Sequence, residues 1–301
     1  MKTHLECLPC FLRQALGAAR FVTDDEARQA EILRQVLRAA AEMDLETPPP
    51  VMGGKIHRAL RETTGNPDPY AEAKRRFTKL ALELLPEARK RVRAADDPWE
   101  AAVRIAGAAN VIDFAIRGAP GEESVRHLVE GFAEMPFHGD PAALREAVEN
   151  AERILLLADN AGEIVFDRLL LEQMPADRVT IAVKGGPVIN DATMEDARAA
   201  GLTERFEVID DGSDTPGRAL ETCSPEFRRR FEEADLILAK GQANYESLSD
   251  TARPVFFLLK IKCPVVAADT GLPMGTLALL QAPSGARRKT REPAAMSRAA
   301  Q

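Results

Sequence analysis

Aromatic side chains are scarce: 12 Phe, two Tyr and one Trp make up 5% of the 301 residues, leaving few rings on which nucleic-acid bases could stack. Positive charge is not in excess either. Lys and Arg number 40 against 47 Asp and Glu, a net charge of −7, so no global basic field draws in a phosphate backbone and nucleic acid is not expected as a partner. Apolar runs such as Val255 to Leu259 fall far short of the roughly 18 residues that a membrane span requires. The stretch Met1 to Cys10 carries Glu6 and two cysteines where a secretory signal needs an apolar segment. Four cysteines in this length do not make a disulfide framework. The expectation is a cytoplasmic protein whose partner is neither nucleic acid nor membrane; oligomeric state is not legible.

Three signature loops are missing as well. There is no G-x-x-x-x-G-K-[ST], no G-x-G-x-x-G after the first strand and no G-x-S-x-G, which disfavours an NTPase, a dinucleotide oxidoreductase and an α/β-hydrolase. What is present is an ordinary folded composition, 45% hydrophobic and 29% charged, in a chain near the length at which single cores stop growing.

Residues 1–150 read as a helical domain. Apolar residues recur at spacings of three and four, as in Ile32, Leu33, Val36, Leu37, Ala40 and in Phe77, Leu80, Ala81, Leu84. Asp24 and Asp25 are candidate caps of a helix that the prolines 48–50 end. Further helices are expected over 51–64, 69–93, 98–117 and 141–152. From Arg153 the pattern changes to short apolar runs, 154–157, 179–183, 206–209 and 236–239, separated by helical segments. Buried parallel strands in βαβ units have this form. Residues 151–280 therefore predict an α/β domain, a three-layer, mostly parallel sheet with helices on both faces. Pro254 to Leu259, Pro264 to Ala268 and Thr276 to Leu280 are expected as further strands, with some antiparallel pairing. Residues 281–301 lack apolar periodicity and are expected as a disordered tail.

Chemistry should then gather at the carboxyl ends of the strands. Asp159-Asn160-Ala161-Gly162-Glu163 follows the first run, and its adjacent oxygen donors suit a hard cation such as Mg²⁺ or Mn²⁺; a helix cap would use the same residues. Lys184-Gly185-Gly186 and Asn190-Asp191 follow the second run, so Asp159, Asn160 and Asp191 would share one rim, although a turn and an Asp cap are the plainer reading of each segment. After the third run, Lys240 could meet a phosphoryl oxygen or simply snorkel from the sheet. Lys260 and Lys262 would add positive charge to the same rim. Asn110 and Asp113, three apart on the helix expected to run to Arg117, would lie on one face. His4, Cys7 and Cys10 carry soft ligands at metal-binding intervals, but no second CxxC completes a zinc site, and packing of a first helix explains the two thiols equally.

Taken in order, Cys7-Leu-Pro-Cys10, Gly65-Asn-Pro-Asp68-Pro-Tyr70, Asn110-Val-Ile-Asp113, Asp159-Asn-Ala-Gly-Glu163, Asn190-Asp191-Ala-Thr193, Lys240-Gly-Gln-Ala-Asn244-Tyr-Glu246 and Lys260-Ile-Lys-Cys263 closely resemble the metal-dependent damage-control phosphatases, over about Met1 to Leu280. The CxxC resembles the mark of their prokaryotic subfamily. The resemblance implies a helical domain on an α/β sheet and metal ligation by Asp159, Asn160 and Asp191, with Mn²⁺, Co²⁺, Ni²⁺ or Mg²⁺ as cofactor. It further implies catalytic roles for Asp159 and Lys240, substrate contacts by Asn110, Asp113, Glu163, Lys240 and Lys262, and an accessory role for Cys7 and Cys10. Of the eukaryotic Arg-Thr-x-Lys motif, only Lys262 matches within Leu259-Lys260-Ile261-Lys262. The implied activity is hydrolysis of phosphate monoesters of small metabolites, sugar phosphates or damaged nucleotides, by water or through a phosphorylated Asp159. Two other classes stay open: an adenosylmethionine-dependent carboxyl methyltransferase, despite the missing glycine-rich turn, and a non-catalytic metal or phosphometabolite binder.

Overall fold

The computed structural model describes residues 1–113 and 121–282; the expected tail and the end of the 98–117 helix fall outside them. Chain order runs α1 (Cys7–Val22), α2 (Glu26–Ala41), α3 (Pro49–Thr64), α4 (Ala71–Ala94), α5 (Pro98–Ala108), a 3₁₀ turn (Ala109–Val111), α6 (Glu122–Gly131), β1 (Phe137–His138) and α7 (Pro141–Asn150). The second half continues with β2 (Ile154–Leu157), α8 (Glu163–Leu171), β3 (Val179–Val183), α9 (Met194–Ala199), β4 (Glu207–Asp210) and α10 (Pro225–Glu233). It closes with β5 (Leu236–Lys240), α11 (Gln242–Leu248), β6 (Val255–Lys260), α12 (Pro264–Thr270) and β7 (Leu277–Gln281).

Local chemistry explains many of the boundaries. Asp25, Asp97, Asp140 and Ser224 accept backbone N–H bonds at the starts of α2, α5, α7 and α10, and proline sits in the first turn of α3, α5, α7, α10 and α12, where its missing donor costs nothing. Gly65 (φ 68°) ends α3 in the left-handed conformation.

The seven strands form one sheet in the order β1-β7-β6-β5-β2-β3-β4, parallel throughout except for β6 against β7. Strand order reverses between β2 and β5, the switch point at which open α/β sheets form their crevice. Alternate residues of the central strands feed two cores. Leu156, Ile181, Leu238 and Leu258 pack beneath α4, α5, α7 and α8, whereas Leu155, Leu157, Ile237 and Phe257 meet α10, α11 and α12. Each of these side chains contributes about 1.5–3 kcal/mol when fully buried. Helices α1 to α3 enclose a third core around Phe11, Ile32, Val36, Met52 and Ile56.

Three details depart from the sequence expectation. The stretch 264–270 is helix, not strand: Pro264 opens it and the Cys263 sulfur accepts the Val266 N–H. The α-helix expected to 117 stops at Ala108, so Asn110 lies on the 3₁₀ turn and Asp113 beyond it. β1, only two residues long, joins the sheet edge from within the first 150 residues through Phe137 opposite Leu277.

Candidate functional site

Asp159 and Asn160 follow β2, and Asp191 lies at the end of the loop after β3. Ala192 N–H donates to Asp159 O (2.7 Å), Ala161 N–H donates to Asn190 O (2.8 Å), and Asn160 and Asp191 form an isolated antiparallel bridge. The three expected metal ligands are thus brought together by backbone pairing beyond the ends of two neighbouring parallel strands. Ile189 adopts φ 47°, a strained conformation for a β-branched residue, two residues before Asp191.

The orientation of each side chain is fixed from below. Asn110 Nδ2 donates to Asp159 Oδ2 (2.7 Å) and Glu163 Oε2 (2.9 Å), and Asn160 Nδ2 donates to the same two oxygens at 3.0 and 2.9 Å. Both amides of Asn160 and Asn110 therefore turn their NH₂ groups inward, and the Asn160 carbonyl is left for another partner. Lys240 Nζ donates to Glu163 Oε1 (2.5 Å), Asp167 Oδ1 (2.5 Å) and Ala106 O (3.0 Å). All three of its protons are committed.

Lys240 and Glu163 are fully buried, which departs from the expectation that they face a phosphoryl group. A lysine with no access to water is tolerated only when paired, and here burial, which lowers its pKa, is outweighed by Asp167 and Glu163, which raise it. Asp167 was not singled out from the sequence, yet a carboxylate pair four residues apart in the apolar helix EIVFDRLLL is the legible signal of a buried ion pair. A second internal cluster lies under the β3 and β4 ends: Lys184 Nζ donates to Asp211 Oδ2 (2.9 Å), and Arg218 Nε stands 3.0 Å from the same oxygen. Burial would raise the Asp211 pKa, but Arg218 and Lys184 hold it below the ordinary value.

Above these balanced clusters the charge is different. Burial pushes the Asp159 carboxyl well above its usual range, and the negative charges of Glu163, Asp191 and Asp113 push it further against the pull of Lys262. Asp191 is raised to about 7, again by burial first, against the pull of Lys184 and Arg218. Lys262 Nζ is held by Asp113 Oδ2 at 2.7 Å. Gly241 (φ 79°) occupies the crevice between β5 and β2, and a Cβ there would overlap the Asp159 carboxylate.

Asp159, Asn160, Asp191 and Asp113 line a cavity of about 160 Å³ that is also lined by Cys7 and Cys10 from α1 together with Glu246 and Cys263. The CxxC of the first helix therefore reaches the site. Glu246 and Cys263 are additions that sequence spacing did not single out, because α11 and α12 bring them in from distant segments. Cys7 is raised to about 11, mainly by burial. Helix α3 holds the cavity loops in place: Arg58 and Arg61 both pair with Asp214, and Arg61 Nη1 donates to Pro187 O at 2.7 Å. His57, behind it, is kept neutral by burial and by Arg61, its pKa lowered to about 3.

Two buried carboxylates and an amide carbonyl form an oxygen donor set of the kind a hard divalent cation takes. Among the described residues no three His, Cys, Asp or Glu side chains stand as a cage by themselves, so such a set has to draw on the Asn160 amide. The donors fit a cation because, among the described residues, no cationic side chain is ion-paired to Asp159 or Asp191, and the carboxyls of both are raised by burial despite the more distant pull of Lys262, Lys184 and Arg218.

Fold and site together define an α/β protein with an acidic strand-end site at the switch point of its sheet, roofed by three helices. The chain belongs to the damage-control phosphatase ARMT1-like domain family, whose signature spans residues 3–277. It is 36% identical over 284 residues to a damage-control phosphatase of Archaeoglobus fulgidus (92% of this chain, 98% of the relative) and 35% identical over 288 residues to one of Pyrococcus horikoshii (93% and 98%). An uncharacterised protein of Methanocaldococcus jannaschii is 37% identical over 293 residues (93% and 96%). The crystal structure of a DUF89 family protein from Pyrococcus horikoshii superposes with a TM-score of 0.82 at 34% identity, covering 94% of this chain and 99% of that one.

Proposed function

We propose that this protein is a divalent-metal-dependent phosphatase that hydrolyses phosphate monoesters of small metabolites, sugar phosphates or damaged nucleotides, as a damage-control enzyme. The observation that carries the reading is the pair Asp159 and Asp191, buried on adjacent strand ends of one cavity, to which no cationic side chain among the described residues is ion-paired. Relatives named damage-control phosphatases support the reaction class.

Asp159, Asn160 and Asp191 would hold the cation, which when bound supplies the positive charge that a phosphate dianion needs in an acidic cavity. The chain's own contribution is orientation. Asn110 and Asn160 fix Asp159 Oδ2 with two hydrogen bonds, a placement that suits a holding group better than a covalent nucleophile, so water is the attacking group in this reading. Lys240 acts at one remove: it pairs with Glu163, and Glu163 in turn accepts from both amides and keeps them turned inward. Asp113 and Lys262, paired at the cavity rim, are placed to meet polar groups of the substrate.

The test is phosphate release from a panel of sugar phosphates and nucleotides after verified metal removal, with Mn²⁺, Co²⁺, Ni²⁺ or Mg²⁺ added back. Activity restored by metal in the wild type and absent in Asp191→Ala supports the reading. Full turnover in excess chelator, or wild-type metal binding by Asp191→Ala, overturns it.

A further inference from the structure

The cavity that takes in the oxygen donors assigned above is also lined by residues of α1, α11 and the start of α12. Glu246, half-buried, stands on α11 beyond Gly241 and lines this cavity. Gln242 fixes it. The Lys262 N–H donates to Gln242 Oε1 at 3.1 Å, which sets the amide so that Gln242 Nε2 donates to Glu246 Oε1 at 2.8 Å. One oxygen of Glu246 is thereby held, and Oε2 has no protein hydrogen bond among the described residues.

The geometry points to Glu246 as the general acid that protonates the leaving-group oxygen of the substrate. This rests on the phosphatase reading and extends it to a residue and a substrate class: esters of poor leaving groups, such as the alkoxides of sugars, which cannot depart unprotonated. In the step, water adds to phosphorus, the P–O bond to the alcohol breaks with its electron pair staying on oxygen, and that oxygen takes the proton from Glu246. The carboxylate recovers a proton from solvent before the next turnover.

Charged and titratable groups face Glu246 from every side. Cys7 lies on α1, Cys263 and Lys262 precede α12, Asp113 follows the 3₁₀ turn, and the amino group of Met1 donates to the Glu246 carbonyl at 2.7 Å. Burial is the largest influence and raises the carboxyl to about 7; the Gln242 hydrogen bond and the Met1 amino group pull it down, and Asp113 pushes it up. A carboxyl acid at that value is half protonated at neutral pH, where general acids work best. Asp159 and Asp191 cannot take this part while they hold a cation, since ligation requires them ionised.

The experiment measures kcat/KM of the metal-loaded protein against a series of phosphate monoesters running from aryl to alkyl leaving groups, for wild type, Glu246→Gln and Glu246→Asp, with folding checked by circular dichroism. The expected result is a shallow dependence on leaving-group pKa in the wild type that steepens in Glu246→Gln. Alkyl esters should lose on the order of a hundredfold, the lower end of general-acid contributions, and p-nitrophenyl phosphate far less. Glu246→Asp, which keeps the acid, should restore part of the shallow slope. A parallel loss across the whole series in Glu246→Gln, or a steep slope already in the wild type, overturns the assignment. A wild type that hydrolyses none of the series with any of the four metals overturns the phosphatase reading and the acid with it.

Discussion

Two sets of buried carboxylates lie within one sheet, and they differ in a single respect. Glu163, Asp167 and Asp211, beneath the strand ends, have Lys240, Lys184 and Arg218 packed against them. Asp159 and Asp191 are also buried, but among the described residues neither is ion-paired and both line a shared cavity. A buried charge is costly unless paired, so the first set serves the fold, and the second is the one to which the proposed function assigns a cation. The distinction separates residues of the same type by role, as their spacing in the sequence does not.

The comparison breaks most sharply at the second set. Asp159→Asn or Asp191→Ala should reduce phosphate release by roughly a thousandfold, about 4 kcal/mol of transition-state stabilisation, while the metal-free variants melt no lower than wild type because an unfavourable buried charge has been removed. Calorimetry on the same samples checks both halves. A variant that loses fold along with activity would put these residues in the structural set.

The mirror experiment is Lys240→Met. Removing the cation leaves Glu163 and Asp167 buried and unpaired, so stability should fall by about 3–5 kcal/mol in urea titration, and activity should fail through misfolding. A stable Lys240→Met protein with unchanged substrate affinity and lowered kcat would instead place the lysine at the phosphoryl group. Gly241→Ala probes the boundary between the sets: with Asp159 displaced by the added methyl, metal affinity read by titration calorimetry should drop by roughly tenfold to a hundredfold, a range ordinarily seen when support of a ligand is lost.

Proton linkage sharpens the contrast further. Asp191 and Glu246 have folded values near 7 against ordinary values of 3.8 and 4.5, so the folded state binds more protons than the unfolded state between those limits, and stability falls as pH rises through 7. His57 runs the other way, its folded value near 3 meaning that stability is lost as pH falls below 6.5. Above pH 6.5 the His57 effect fades and the raised carboxylates, Asp167 with its value near 7 among them, lead. The metal-free protein should lose a few degrees of melting temperature between pH 6.5 and 8, roughly what 1 kcal/mol does in a chain of this size, and divalent metal should remove the share that Asp191 contributes. A flat or rising profile without metal would mean the rim is already neutralised.

The smallest effect is expected from the thiols. Cys7→Ser with Cys10→Ser should change kcat less than tenfold at saturating Mn²⁺ or Mg²⁺, because hard cations take the oxygen donors Asp159, Asn160 and Asp191 in preference to thiols. A hundredfold fall in a folded variant would move them into the reacting centre.

The strands were legible because buried parallel strands are continuous apolar runs, and β2, β3 and β5 fall within a residue of where those runs place them. The stretch 264–270 was not: Pro-Val-Val-Ala-Ala is too short and apolar for periodicity to separate strand from helix, and the capping sulfur of Cys263 and the sheet packing decided it. Asn110 and Asp113 illustrate a similar limit, since a helix interior and the 3₁₀ turn that ends it differ by little in local pattern.

What the sequence alone determined is the doubly wound sheet, its direction of strand ends and the oxygen donors Asp159, Asn160 and Asp191 on one rim, all consequences of local apolar runs and the residues that follow them. Tertiary structure decided which charges are spent. Whether Lys240 faces a substrate or three internal acceptors, and whether Glu246 and Cys263 join Cys7 and Cys10 at the cavity, depends on how α1, α8, α11 and α12 pack against the sheet. Coulomb energy is set by distance and burial, and neither is a property of position along the chain.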